Sequence, residues 1–185
     1  MPWPLYRMSL EKYEAMVDSG IFTPRDRLHL INGLLVAKMT QNNPYCTADD
    51  LCGVALNGVI PAGWYVRAAK PVRLPPDSMP EPDRAVVRGT IRDYAHRYPG
   101  PSDVGLIVEV SDSSLRGDRN QAEVYARSGI AVYWIVNLVD GQVEVYSSPS
   151  SSGYSSRVDF LAGQNVPVVI DGDQVGIIAV DEILP

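Results

Sequence analysis

Val104-Gly105-Leu106-Ile107-Val108-Glu109-Val110 is an apolar run broken once, by a carboxylate. A continuous apolar run of this length, without polar alternation, reads as a strand buried on both faces in a parallel or mixed sheet. The polar stretch Ser111-Asp112-Ser113-Ser114 follows it. Next come a helix expected over about 118–128, stopped by Gly129, and a second buried strand over 130–137. A strand–helix–strand unit favours a right-handed crossover and adjacent parallel strands. Glu109 then falls at the C-terminal end of a central strand, where open α/β sheets place their sites.

A second carboxylate, Asp83, opens Pro82-Asp83-Arg84-Ala85-Val86-Val87, the start of another strand. A buried, unpaired carboxylate is costly unless it is neutralised, paired or bound to a cation. Two of them on neighbouring strands raise each other's pKa unless a divalent ion sits between them. The structural alternative has Asp83 capping a turn and Glu109 paired with an arginine.

Towards the N-terminus, Ser9 is expected to cap a short helix bearing Leu10, Tyr13, Met16 and Val17 and ending at Gly20. Asn32-Gly33 between Leu28–Ile31 and Leu34–Met39 is a strong hairpin signal. Asn43-Pro44 reads as cap and first position of a second helix running to about Val59, with Leu51, Ala55 and Val59 as its core face. Extended pieces are expected at 64–68 and 71–74, and a loop with a helical turn over 89–101. Towards the C-terminus, Asp140-Gly141 turns into a strand over 142–146. The Ser, Pro and Gly of 147–153 read as a flexible loop, and short strands follow at 154–160, 166–170 and 175–180.

The 185 residues are expected to form one domain, 1–185, with a core of ordinary size. No stretch approaches the ~20 apolar residues of a membrane span. Met1-Pro2-Trp3-Pro4 lacks a signal-peptide pattern, so the cytoplasm is the expected location and no membrane partner is expected. Cys46 and Cys52 are expected to be buried thiols, neither disulfide nor zinc ligands. A net charge of −6 argues against tight non-specific DNA binding, but it leaves room for a nuclease whose acidic site a cation offsets.

Pro82-Asp83, Val108-Glu109-Val110-Ser111 and Asp118-Arg119, followed by Tyr125-Ala126-Arg127-Ser128-Gly129-Ile130 and Tyr133-Trp134-Ile135-Val136-Asn137, resemble in their order the Uma family of putative restriction endonucleases, within the PD-(D/E)XK nuclease superfamily. The resemblance covers nearly the whole chain. It implies an α/β, restriction-endonuclease-like fold: a mixed sheet flanked by helices, with extra C-terminal strands. It also implies Asp83 and Glu109 as ligands of Mg²⁺ or Mn²⁺, DNA as substrate, and metal-assisted phosphodiester hydrolysis. A homodimer is compatible with it.

Two family positions are altered here. An early acid falls at His29, in His29-Leu30-Ile31-Asn32-Gly33. The catalytic lysine is missing both at Ser111 and on the following helix, where the position four before Tyr125 is Gln121. The spacing from Asp118 to Tyr125 is also one residue short, so counting forward from Asp118 puts the vacancy at Ala122. If Tyr125 sets the register, Gln121 faces Glu109. His29 is otherwise a half-buried polar residue of the hairpin. Tyr94, Arg97 and Tyr98 read as base-stacking residues or a solvated loop. Arg116, Arg119 and Arg127 read as phosphate contacts or as partners of Glu109, Asp118 and Glu123. The function expected is a metal-dependent DNA endonuclease impaired by the lost lysine and acid. The alternative is a non-catalytic nucleic-acid-binding or protein-interaction module.

Overall fold

In the computed structural model, which describes residues 3–23 and 25–185, both buried runs are strands of one sheet. Met1 and Pro2, half of the stretch read for a signal peptide, lie outside the described residues, as does Pro24. The sheet comprises β3 (Trp64–Ala68), β4 (Arg84–Arg88), β5 (Val104–Ser111), β6 (Val132–Asn137), β7 (Gln142–Ser150) and β8 (Gly153–Leu161). The strands lie side by side in chain order. Only β5 and β6 are parallel, and α3 (Leu115–Arg127) makes the crossover between them. All eight residues of β5 are buried, Glu109 and Ser111 included.

Alternation along β5 divides the core in two. Leu106, Val108 and Val110 face α2 (Asn43–Val59) and the C-terminal hairpin β9 (Asn165–Ile170)–β10 (Asp173–Ala179), with Trp134 and Val136 of β6 on the same side. Ile107 faces α3, where Tyr125 meets Tyr133 with ring centroids 4.9 Å apart. Gly105 is obligatory in this packing, because a Cβ there would lie 2.8 Å from Ile170 Cγ2 and 2.9 Å from Trp64 Cζ3.

The N-terminal helix α1 (Leu10–Asp18) packs on a separate hairpin, β1 (Leu28–Ile31) and β2 (Leu34–Ala37), through Leu10, Tyr13, Leu30 and Met79. Ser9 caps α1 by accepting from the Lys12 backbone N–H at 3.3 Å. The turn of the hairpin has φ of 50° at Asn32 and 74° at Gly33, the left-handed pair that a two-residue loop demands.

Five expectations are corrected. The α2 cap is Asn42, whose side chain accepts from Tyr45 N at 3.0 Å, one residue before the expected Asn43. The fully buried face is Ala48, Cys52 and Leu56; Ala55 and Val59 pack against the core as expected, but Leu51 is exposed. Cys46, in the first turn, is exposed rather than buried. Finally, 147–153 is a β-hairpin continuing β7 into β8, with Ser147 paired to Ser156 and Ser150 to Gly153. Helix α3 also starts three residues earlier than expected, at Leu115.

Candidate active site

Strand pairing brings the two carboxylates together. In the antiparallel ladder of β4 and β5, Arg84 lies opposite Val108 and Ala85 opposite Ile107. Continuing that register one residue sets Asp83 opposite Glu109. Directly opposed residues of antiparallel strands present their side chains on one face. The Asp83 backbone N–H donates to Glu109 Oε2 at 3.1 Å, and the Val110 N–H donates to Asp83 Oδ2 at 2.7 Å. The alternative of a turn-capping Asp83 and an arginine-bound Glu109 does not hold. Neither carboxylate has a cationic partner among the described residues.

Their compensation comes from neutral donors. The Tyr45 hydroxyl, from the first turn of α2, donates to Asp83 Oδ1. On α3, Gln121 Nε2 and the Tyr125 hydroxyl both donate to Glu109 Oε1, at 3.0 and 2.8 Å. Gln121 and Tyr125 stand four residues apart and so share one helix face. Asp118, one turn earlier, accepts from the Ser111 hydroxyl and, at 2.6 Å, from the Ser114 hydroxyl.

Neutral donors offset burial only in part. Burial raises the Asp83 carboxyl to about 6, against the Tyr45 and Val110 hydrogen bonds that lower it. Glu109 is raised well above the usual range, first by burial and then by the charges of Asp83 and Asp118. Asp118 is raised by burial too. The three acids are thus short of positive charge, the condition under which perturbed titration marks a functional site.

They line a cavity of about 360 Å³, roofed by the β1–β2 hairpin and the segment leading into α2. His29 lies in its wall, with Nδ1 buried and unpartnered, and burial and Lys38 hold its pKa down to about 4. At neutral pH it is therefore uncharged and does not replace an acid. Asp83, Glu109, Gln121 and His29 all line this one cavity. Two of the arginines expected near it are paired elsewhere: Arg119 with Glu144, and Arg127 with Glu123 at 3.6 Å. Arg97 pairs with Asp103 at 2.6 Å and covers the Tyr94 ring, which leaves its guanidinium committed within the loop. Sequence reasoning missed Tyr45 and gave Tyr125 no part in the site. Tyr125 carried a signal in its spacing from Gln121; Tyr45, on an element far away in sequence, carried none.

A family model described as Uma2, putative restriction endonuclease, matches residues 10–173. The chain belongs to the Uma2 family. A solved structure of similar fold is described as a putative nuclease belonging to DUF820 from Anabaena variabilis ATCC 29413, determined at 1.96 Å. It matches this Uma2 protein with a TM-score of 0.73 at 14% identity, over 95% of this chain and 97% of that one. A comparison with curated proteins gives no match. No helix among the described residues is long and apolar enough to cross a membrane.

The donor set of this Uma2 site suits a hard cation, since its ligands are all oxygens and its carboxylates lack counter-charge. Among the described residues no three His, Cys, Asp or Glu side chains converge into a ready-made cage. One or two carboxylates, with waters and substrate phosphates completing the shell, are the ligands by which Mg²⁺ is commonly held.

Proposed function

We propose that this Uma2 protein hydrolyses DNA phosphodiester bonds slowly, with Mg²⁺ or Mn²⁺ held by Asp83 and Glu109. The observation that carries this reading is the pair of carboxylates on one sheet face, Glu109 buried and Asp83 half-buried, flanked by Asp118 and without a cationic partner among the described residues. When bound, the ion lowers the pKa of water and offsets charge on the phosphodiester. Asp83 and Glu109 fix its position from rigid strands. Gln121 holds Glu109 oriented with an amide, which brings a dipole but no full positive charge. Losing a positioned catalytic group costs roughly a hundred- to ten-thousandfold in rate, so the wild-type protein is a feeble nuclease. The cavity, rather than a basic surface, holds the backbone of the substrate, consistent with the net charge of −6.

The test is Mn²⁺-dependent cleavage of plasmid DNA. Cleavage is expected to be slow in wild type, absent in Asp83→Ala and faster in Gln121→Lys. The second reading, a non-catalytic module, is favoured by the five donors that already satisfy the carboxylates without a cation. It prevails if neither wild type nor Gln121→Lys cleaves DNA and both still bind it.

A further inference from the structure

The five donors on the two carboxylates are not equally movable. Val110 N–H and Asp83 N–H are backbone groups fixed by the β4–β5 ladder. Tyr125 is fully buried and stacked against Tyr133. Tyr45 and Gln121 are different: both are only partly buried, and both line the cavity. Each donates to an acid that lines the same cavity, at Asp83 Oδ1 and Glu109 Oε1. On Asp83 the remaining oxygen, Oδ2, is held by the strand itself. Oδ1 can therefore be freed only by turning one phenol.

Tyr45 packs against the core and is only partly buried. It sits in the first turn of α2, where its backbone N–H is held by the Asn42 side chain. Its hydroxyl also accepts from Gln41 Nε2 at 3.2 Å, and both Gln41 and Asn42 are exposed. The Asn42 amide in turn donates to Asp112, in the loop after β5, so the entry to α2 is tied across the mouth of the cavity. Gln41 thus offers the phenol a polar partner at the cavity rim once it leaves Asp83.

We propose that Tyr45 gates cation entry: its hydroxyl caps the Asp83 oxygen that a divalent ion takes, and the ion binds after the phenol turns aside. This inference rests on the metal-site reading of Asp83 and Glu109. Tyr45 is a positioning residue in it, acting through Asp83. Without the hydroxyl, the free protein loses the donor that an incoming ion must displace, so a phenylalanine should favour the ion. A hydrogen bond to a charged group corresponds to about a tenfold effect or more.

The experiment measures Mn²⁺ binding by electron paramagnetic resonance at pH 8, in wild type, Tyr45→Phe and Asp83→Asn. About tenfold tighter binding in Tyr45→Phe, lost in Tyr45→Phe/Asp83→Asn, is the expected result. Equal or weaker binding in Tyr45→Phe, while wild type binds through Asp83, overturns the gate and leaves the metal reading standing. No Mn²⁺ binding by either protein overturns both. A second measurement needs no loss of the side chain. With 3-fluorotyrosine at position 45, the ¹⁹F resonance should move as Mg²⁺ is added, and a stationary resonance at saturating Mg²⁺ also overturns the gate.

Discussion

Replacing Asp83 with asparagine should make the protein more stable above pH 6, although it destroys the candidate site. Burial raises the Asp83 carboxyl to about 6, against about 3.9 in an unfolded chain. A rise of about two pKa units, at about 1.4 kcal/mol each, means the ionised side chain costs the fold about 3 kcal/mol. The sign follows from proton linkage: the folded state holds this proton to higher pH than the unfolded state does. Stability is therefore unaffected below about pH 4, falls as pH rises from about 4 to about 6, and stays reduced above that. Asparagine has the same shape and no charge. Its carbonyl can keep the bond from Val110 N–H, but its amide donates where Tyr45 donates now. That rearrangement costs about 1 kcal/mol, leaving a gain of about 2 kcal/mol at pH 8.

Urea denaturation of both proteins at pH 4 and pH 8, in the presence of a chelator, measures this directly. A gain of about 2 kcal/mol corresponds to a melting temperature higher by about 4–8 °C for a protein of this size. Relief of Glu109, which the Asp83 charge raises, acts in the same direction. The reasoning is refuted if the difference between the proteins is the same at pH 4 and pH 8, or if wild type is the more stable at pH 8.

Two further outcomes bear on the charge deficit and on the packing that supports it. Mn²⁺ or Mg²⁺ should raise the melting temperature of wild type by mass action but not that of Glu109→Ala; thermal shift decides, and an identical response would place the ion elsewhere. Burial pushes the Glu144 carboxyl up, but Arg119, Tyr146 and Asn137 hold it at about 2. Its contribution is present above about pH 4 and lost as pH falls towards 2. Arg119→Met leaves that buried charge with only Arg157, 3.2 Å away, and should cost about 2 kcal/mol at pH 7 by urea denaturation.

What could be read from sequence follows from where the signal was local. The β1–β2 hairpin was legible because Asn32-Gly33 supplies the left-handed conformations the turn needs. The β5–α3–β6 unit was legible from two apolar runs, the first interrupted only by Glu109, and the stop at Gly129. Helix α2 was misplaced by one residue because Asn42 and Asn43 are chemically equal candidates for the cap, and only tertiary packing chooses between them. Its fully buried position is Cys52 rather than Leu51. The 147–153 segment looked like a loop from its Ser, Pro and Gly, yet pairing with the next strand overrides weak local propensity. In the site, Asp83 and Glu109 stood out from the strand pattern, and Gln121 through the family resemblance with the register counted from Tyr125. Tyr45 could not, because its approach depends on how α2 packs around the end of the sheet.

The resemblance implies one residue fewer between Asp118 and Tyr125 than the family has, and the structure bears on where that leaves the vacancy. One residue is about 100° of helical phase, so the vacant lysine position had two candidates, Gln121 and Ala122. Ala122 is buried in the apolar core beneath α3, whereas Gln121 Nε2 reaches Glu109 Oε1 and the Tyr125 hydroxyl, at 3.0 and 2.8 Å. Tyr125 fixes the register, because its ring packs on Tyr133 and its hydroxyl is bonded to Glu109. Upstream, 111–114 leads into the early start of α3 at Leu115. The face that α3 presents to Glu109 carries Gln121 and Tyr125, two neutral donors. Gln121→Lys would set an ammonium beside Glu109 without moving the helix, so the site lacks a charge where it already has the geometry.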